Sequence, residues 1–311
     1  MENNIQNDTQ YDAEIDLREL LGVLRAGSRK IIAITAIFAF ISIIYALSVP
    51  NQYKASVLLA PAQSDSSDLS GALGQLDGLA SLAGVNIGAS ESSEAQKAKE
   101  IMKSWSFIDS FISKNTISVE VYAAKGWTRE SNELQIDDDL YDVKTDTWFV
   151  KNDNTGEVGI PSSWQLYKSF SDRLVVLENN KSDLVLVSIE YYSPYIAKKW
   201  LDMYVEAINA HMQQRQMKKV TENINYLQAQ IEKTSIDEMR EVFYNIVEEQ
   251  MKNKMVAEAS PEYAFVAVSP SMVPEEKSQP QRALICILGT LLGAMLSVII
   301  VLLIHYSRKS D

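Results

Sequence analysis

The chain has 311 residues, with 41 acidic against 29 basic side chains for a formal net charge of −12, one cysteine and two histidines. An acidic balance of this size argues against nucleic-acid binding by phosphate neutralisation and against adsorption to an anionic membrane surface. With Cys286 inside an apolar run, the chain holds no disulfide framework and no cysteine-based metal spacing.

Residues 1–30 carry a net acidic charge ahead of Arg25, Arg29 and Lys30, and read as a cytoplasmic tail. Residues 31–49 contain no Asp, Glu, Lys or Arg, and residues 283–304 repeat that composition. A helix rises about 1.5 Å per residue and the hydrocarbon core is about 30 Å thick, so both runs predict transmembrane helices. Arg25, Arg29 and Lys30 precede the first run, while Arg308 and Lys309 follow the second in the tail 305–311. The positive-inside rule then puts both termini in the cytoplasm and exports residues 50–282. The first run lacks a small-residue cleavage site and follows a long acidic tail, so it predicts a retained anchor rather than a removed signal. The exported segment is long enough to bury a core unaided.

Within it, residues 53–61 (YKASVLLAP) alternate as a half-buried strand does. Residues 63–93 are rich in Ser, Gly, Asp, Ala and Leu without an aromatic residue. They hold neither GxxxxGK[ST] nor GxGxxG, so they predict a lightly packed segment with a short helix at 76–82 rather than a phosphate cradle. Residues 93–114 carry Ala98, Ile101, Met102, Trp105, Ile108, Phe111 and Ile112 on one stripe and predict a helix. Strands are expected at 117–122, 174–178 and 184–192. The last alternates Leu184, Leu186, Ser188 and Glu190 with Val185, Val187, Ile189 and Tyr191. Asp137, Asp138 and Asp139 are followed by Leu140, Tyr141 and Asp142. That pattern lacks the alternating ligands and central glycine of a calcium loop, and predicts a solvated turn entering a packed segment, 141–148.

Ser193 and Pro194 announce a helix as cap and first-turn residue, and no Pro or Gly recurs until Pro261. Residues 194–260 therefore predict a long helical projection, roughly 100 Å if unbroken. Two courses are open. Either the chain reverses near 234–237, where Ser235 to Glu238 (SIDE) fits a capping box, or one continuous helix begins far from the membrane and descends. Trp200, Tyr204, Phe243 and Tyr244 on such a projection call for lateral packing of identical subunits. Residues 263–268 (YAFVAV) predict a strand returning to the sheet, and residues 261–282 as a whole a returning strand with a proline-rich connector. The base is expected within residues 50–193.

No catalytic, metal-binding or cofactor-binding constellation emerges. His211 lies in the long helix without HExxH and reads as an ordinary polar face or a subunit contact, and His305 closes the second span. Self-association has a clearer sign: Gly289, Gly293 and Ser297 fall four apart in the second span, a small-residue ridge that admits a close helix. Its partner is the first span, through Thr35, Ala39, Ser42 and Ala46, or another subunit. These features predict an α+β membrane protein in which two transmembrane helices flank an exported domain with a small mixed sheet at its base and a long helical projection.

The arrangement resembles the polysaccharide co-polymerases, the Wzz-type chain length determinants of Gram-negative inner membranes. The resemblance is carried by residues 78–88 (GLASLAGVNIG), 161–174 (PSSWQLYKSFSDRL), 184–198 (LVLVSIEYYSPYIAK), 226–250 and 262–265 (EYAF). Pro270, Pro274 and Pro280 ahead of Arg282 complete it. It implies a periplasmic domain, a ring-shaped homo-oligomer, and a non-catalytic regulator of O-antigen chain length. Such a regulator acts with a separate integral-membrane polymerase on lipid-linked polysaccharide. A related branch works with a tyrosine kinase in capsule or exopolysaccharide export. This chain has no Walker motif, so a kinase would be a separate partner.

Overall fold

The computed structural model describes residues 17–62, 91–151, 156, 158–178 and 182–310. The expected helix at 76–82 lies outside them, as does the glycine-rich segment up to residue 90. The helices are α1 (Leu17–Ala26), α2 (Ser28–Ser48), α3 (Glu91–Lys103), α4 (Trp105–Asn115), α5 (Ser118–Tyr122), α6 (Ser163–Ser171), α7 (Pro194–Lys233), α8 (Asp237–Ala259) and α9 (Arg282–Ser310). The strands are β1 (Tyr53–Pro61), β2 (Ala124–Thr128), β3 (Glu133–Ile136), β4 (Tyr141–Asp142), β5 (Thr147–Trp148), β6 (Val150–Lys151), β7 (Val158–Gly159), β8 (Leu174–Glu178), β9 (Val185–Tyr191) and β10 (Phe265–Ser269). They form two compact units, residues 1–49 with 279–311 and residues 50–278.

In the first unit, Ser28–Ser48 and Arg282–Ile304 are each long and apolar enough to cross a membrane. Their large side chains point outward, with Ile32, Phe40, Ile287 and Leu303 all more than 60 % exposed. The residues buried between them are mostly small: Ser42, Ala46 and Ser297. That inverted distribution suits helices solvated by lipid, where close backbone approach replaces hydrophobic burial as the packing force.

The second unit is built on a four-stranded sheet ordered β10-β1-β9-β8. Every pairing in it is antiparallel, so the mixed sheet expected from sequence narrows to an antiparallel one. The cause is connectivity: β9 follows β8 directly, and β10 follows α8, which runs back along α7 and returns the chain beside β1. Ala55, Val57 and Leu59 of β1 and Val185, Val187, Ile189 and Tyr191 of β9 face a core shared with α3, α4, α6 and the first half of α7. Tyr191, Tyr204, Phe170 and Trp200 form its aromatic centre, with Tyr191 and Trp200 ring centroids 4.4 Å apart. Burying one such side chain contributes about 1.5–3 kcal/mol. Trp200 and Tyr204 are therefore covered by their own chain and need no neighbouring subunit, contrary to the expectation. Tyr244 of α8 stays 55 % exposed.

Three local elements differ from expectation. The helix predicted over 93–114 is broken at Ser104, whose extended backbone caps α4 and whose Oγ accepts from the Phe107 N–H at 3.4 Å. The same hydroxyl donates to the Ile101 carbonyl at 2.7 Å, satisfying the end of α3 as well. Residues 117–122, expected as a strand, contain the single turn α5. There Ile117 and Val121, four apart, both turn into the core, and that contact overrides the β-branched preference. Finally, α7 ends at Lys233 and α8 packs back along it, Gln213 of α7 reaching the last carbonyls of α8. The capping box proposed for Ser235 does not form. Ile236 is the N-cap, so Ser235 lies outside the helix and Asp237 and Glu238 instead favour the positive end of the helix dipole.

Candidate functional site

Two arrangements bear on function: the seam between α2 and α9, and the path by which the chain leaves α8. Along the seam a Cβ added to Gly289 would lie 2.5 Å from the Ser42 Cβ, and one added to Gly293 would lie 2.4 Å from the Phe38 Cβ. Ser297 Oγ and Thr35 Oγ1 are 3.4 Å apart, within reach of a hydrogen bond. One turn further, Gly27 meets Val301, a Cβ there falling 2.5 Å from its Cγ1. The ridge read from the sequence thus faces α2 of its own chain: of the four residues expected there, Thr35 and Ser42 lie against it and Ala46 is buried as well. Phe38 rather than Ala39 fills the groove at Gly293, because Phe38 lies one turn before Ser42 on the antiparallel partner.

The return path is held by polar side chains that sequence patterning passes over. Asn209, 4 % exposed, donates through Nδ2 to the Phe265 carbonyl at 2.9 Å. Its Oδ1 accepts from the N–H groups of Ala264 and Phe265 at 2.9 and 2.8 Å. One turn on, Gln213 Nε2 donates to the Ala257 and Ser260 carbonyls at 2.8 and 3.1 Å. The exit of α8 and the entry into β10 are therefore fastened to α7. The available signal was an asparagine beside Ile208 and three before Met212, a polar residue on an otherwise apolar face.

Pro270, Pro274 and Pro280 lie in the irregular stretch between β10 and α9. Its first residues are tied down by Ser271, whose hydroxyl donates to Asp202 of α7. Ser278 then donates its N–H to the Gln52 carbonyl at 2.8 Å, and its hydroxyl reaches Glu190.

The residues weighed for chemistry are dispersed. His211 sets its ring against Phe107, centroids 5.4 Å apart, and desolvation followed by the nearby Arg215 charge lowers its pKa. Asp137 accepts from the Asp139 N–H and from Lys125 Nζ at a turn, while Asp138 and Asp139 are exposed. Tyr191 and Tyr204 have raised pKa values, chiefly from burial, and donate to the carbonyls of Glu120 and Met102. Lys99, nearly buried, pairs with Glu178 at 2.5 Å across α3 and β8. These contacts hold the fold, and none brings an acid, a base and a nucleophile together.

Residues 13–115 match the sequence model of the family described as Wzz, chain length determinant protein. No curated protein sequence matches the chain. Among solved structures, it is similar to a full-length bacterial polysaccharide co-polymerase at 15 % identity and a TM-score of 0.44, covering 95 % of this chain and 99 % of that one. It is also similar to a fragment of WzzB, a polysaccharide co-polymerase from Salmonella Typhimurium, at 14 % identity and a TM-score of 0.29, covering 74 % of this chain and all of the fragment.

Proposed function

We infer that this chain, whose residues 13–115 match the Wzz chain length determinants, is an inner-membrane polysaccharide co-polymerase that sets the modal length of a surface polysaccharide, O-antigen in the first instance. The family match is the observation that carries the reading. Two helices fit to span a membrane, flanking one exported unit, support it. On this reading residues 50–282 are periplasmic, both termini are cytoplasmic by the positive-inside rule, and the partner is a separate integral-membrane polymerase. The chain acts without chemistry of its own, as a regulator. Self-association into a ring is supported by the apolar residues that α8 leaves exposed, among them Met239, Val242, Tyr244 and Met255.

The ridge of Gly289, Gly293 and Ser297 then holds the two spans together within each subunit. Pro270, Pro274 and Pro280, which cannot continue a helix, keep the link between β10 and α9 extended and stiff. Deleting the gene tests the function directly: the O-antigen ladder on a gel should change from a clustered length distribution to an unregulated one, and plasmid-borne wild type should restore the cluster. An unchanged ladder overturns the reading. Loss of capsule with a normal ladder would assign the chain to exopolysaccharide export instead.

A further inference from the structure

We propose that the aromatic cluster of Tyr53, Trp127 and Tyr195 is an interfacial anchor that sets one end of the exported unit into the lipid headgroup layer. The three rings form a continuous edge-to-face row, with centroids 5.8 Å apart between Tyr53 and Trp127 and 6.3 Å apart between Trp127 and Tyr195. None of them belongs to the core beneath the sheet, and Tyr195 is 56 % exposed. Trp127 satisfies its indole N–H within its own hairpin, on Asn132 Oδ1 at 3.0 Å, so the ring carries no unmet hydrogen bond into a low-dielectric layer.

Their position follows from the chain. Tyr53 pairs with Tyr191 at the end of β1 and β9, and Tyr195 follows just after, at the start of α7. Beside Tyr53, the Ser278 N–H binds the Gln52 carbonyl, so the two connections leaving this unit depart from adjacent points. Gln52 comes four positions after Ser48, the last residue of α2, and Ser278 four before Arg282, the first of α9. Four residues span at most about 14 Å even when extended. Two such tethers hold this end of the unit close to the bilayer surface, where Trp and Tyr are enriched because an apolar ring with a polar edge matches the headgroup boundary. Acidic surface elsewhere on the chain does not oppose this, since rings rather than basic charge make the contact.

The anchor rests on reading α2 and α9 as membrane spans but not on the co-polymerase role, and its test needs no polysaccharide. All five tryptophans, Trp105, Trp127, Trp148, Trp164 and Trp200, lie in the exported unit and none in either span. Quenching of tryptophan emission by brominated lipid therefore reports on that unit alone. The full-length chain would be reconstituted into phosphatidylcholine vesicles brominated either near the headgroup or near the bilayer centre, after confirming that alkaline carbonate does not extract it.

Shallow bromines should quench wild-type emission measurably, deep ones at least twofold less. Trp127→Phe should remove most of the shallow quenching, and Trp164→Phe should retain it. Wild-type emission insensitive to shallow bromine, as when a second copy covers the rings, overturns the proposal, as does quenching that survives in Trp127→Phe. A chain extracted by carbonate overturns the span reading and the anchor with it. The wild-type measurement stands by itself should Trp127→Phe fail to fold.

Discussion

Asn209 is a buried amide on the apolar face of α7, and three backbone groups of the returning chain depend on it. Replacing it by leucine keeps the branched heavy-atom skeleton but leaves the Ala264 and Phe265 N–H groups and the Phe265 carbonyl unpaired. An unmet buried hydrogen-bonding group costs about 1–3 kcal/mol, so Asn209→Leu should lower stability by roughly 3 kcal/mol or more. In a unit of this size that is a melting temperature lower by roughly 6–12 °C. Circular dichroism melts would show it. Gln213→Ala, at a position water can reach, should shift the melt far less. Equal losses in the two variants would mean that the backbone at Ala264 and Phe265 finds other partners.

At the scale of elements, the α2–α9 seam depends on two missing side chains. Gly293→Ala would force a Cβ to within 2.4 Å of the Phe38 Cβ, and Gly289→Ala to within 2.5 Å of the Ser42 Cβ; both neighbours are anchored next to backbone and cannot swing away. Overpacking of this kind costs about 1–3 kcal/mol. A crosslink reads it: Thr35→Cys with Ser297→Cys, in a Cys286→Ala background, should form an intrachain disulfide in detergent. Adding Gly293→Leu should cut the yield several-fold, whereas Leu292→Ala, on an exposed flank, should leave it unchanged.

These elements also show what a sequence can reveal. Alternation in residues 53–61 is readable because one face of β1 meets the core and the other does not, and the observed strand has those bounds. The four-residue spacing of the ridge is readable for a similar reason, since it repeats along one helix face. Which residue of α2 fills each notch is set by the relative offset of two helices 250 positions apart, and no local pattern encodes that. Residues 117–122 read as a strand yet hold the turn α5, because so short a segment takes its conformation from its neighbours, here through Ile117 and Val121 reaching the core together. Asn209 has no legible signal of its role in the sequence, because one amide among apolar residues has the same local signature whether it meets water or a buried backbone.

At the scale of the molecule, residues 50–278 carry their own sheet, core and helical hairpin. Expressed without α2 and α9, this segment should fold, melt cooperatively and retain mixed α/β circular dichroism. A molten spectrum would show that α2 and α9 contribute to its stability.

The adjacency of Gln52 and Ser278 has a structural corollary beyond anchoring. A unit whose two ends meet costs its host little to accommodate, because the host need only present two neighbouring chain ends. Residues 50–278 are in this sense a cassette. It could be transplanted between a different pair of antiparallel helices, or circularly permuted by a short link from residue 278 to residue 52. The helix pair and the unit between its ends can therefore be exchanged separately.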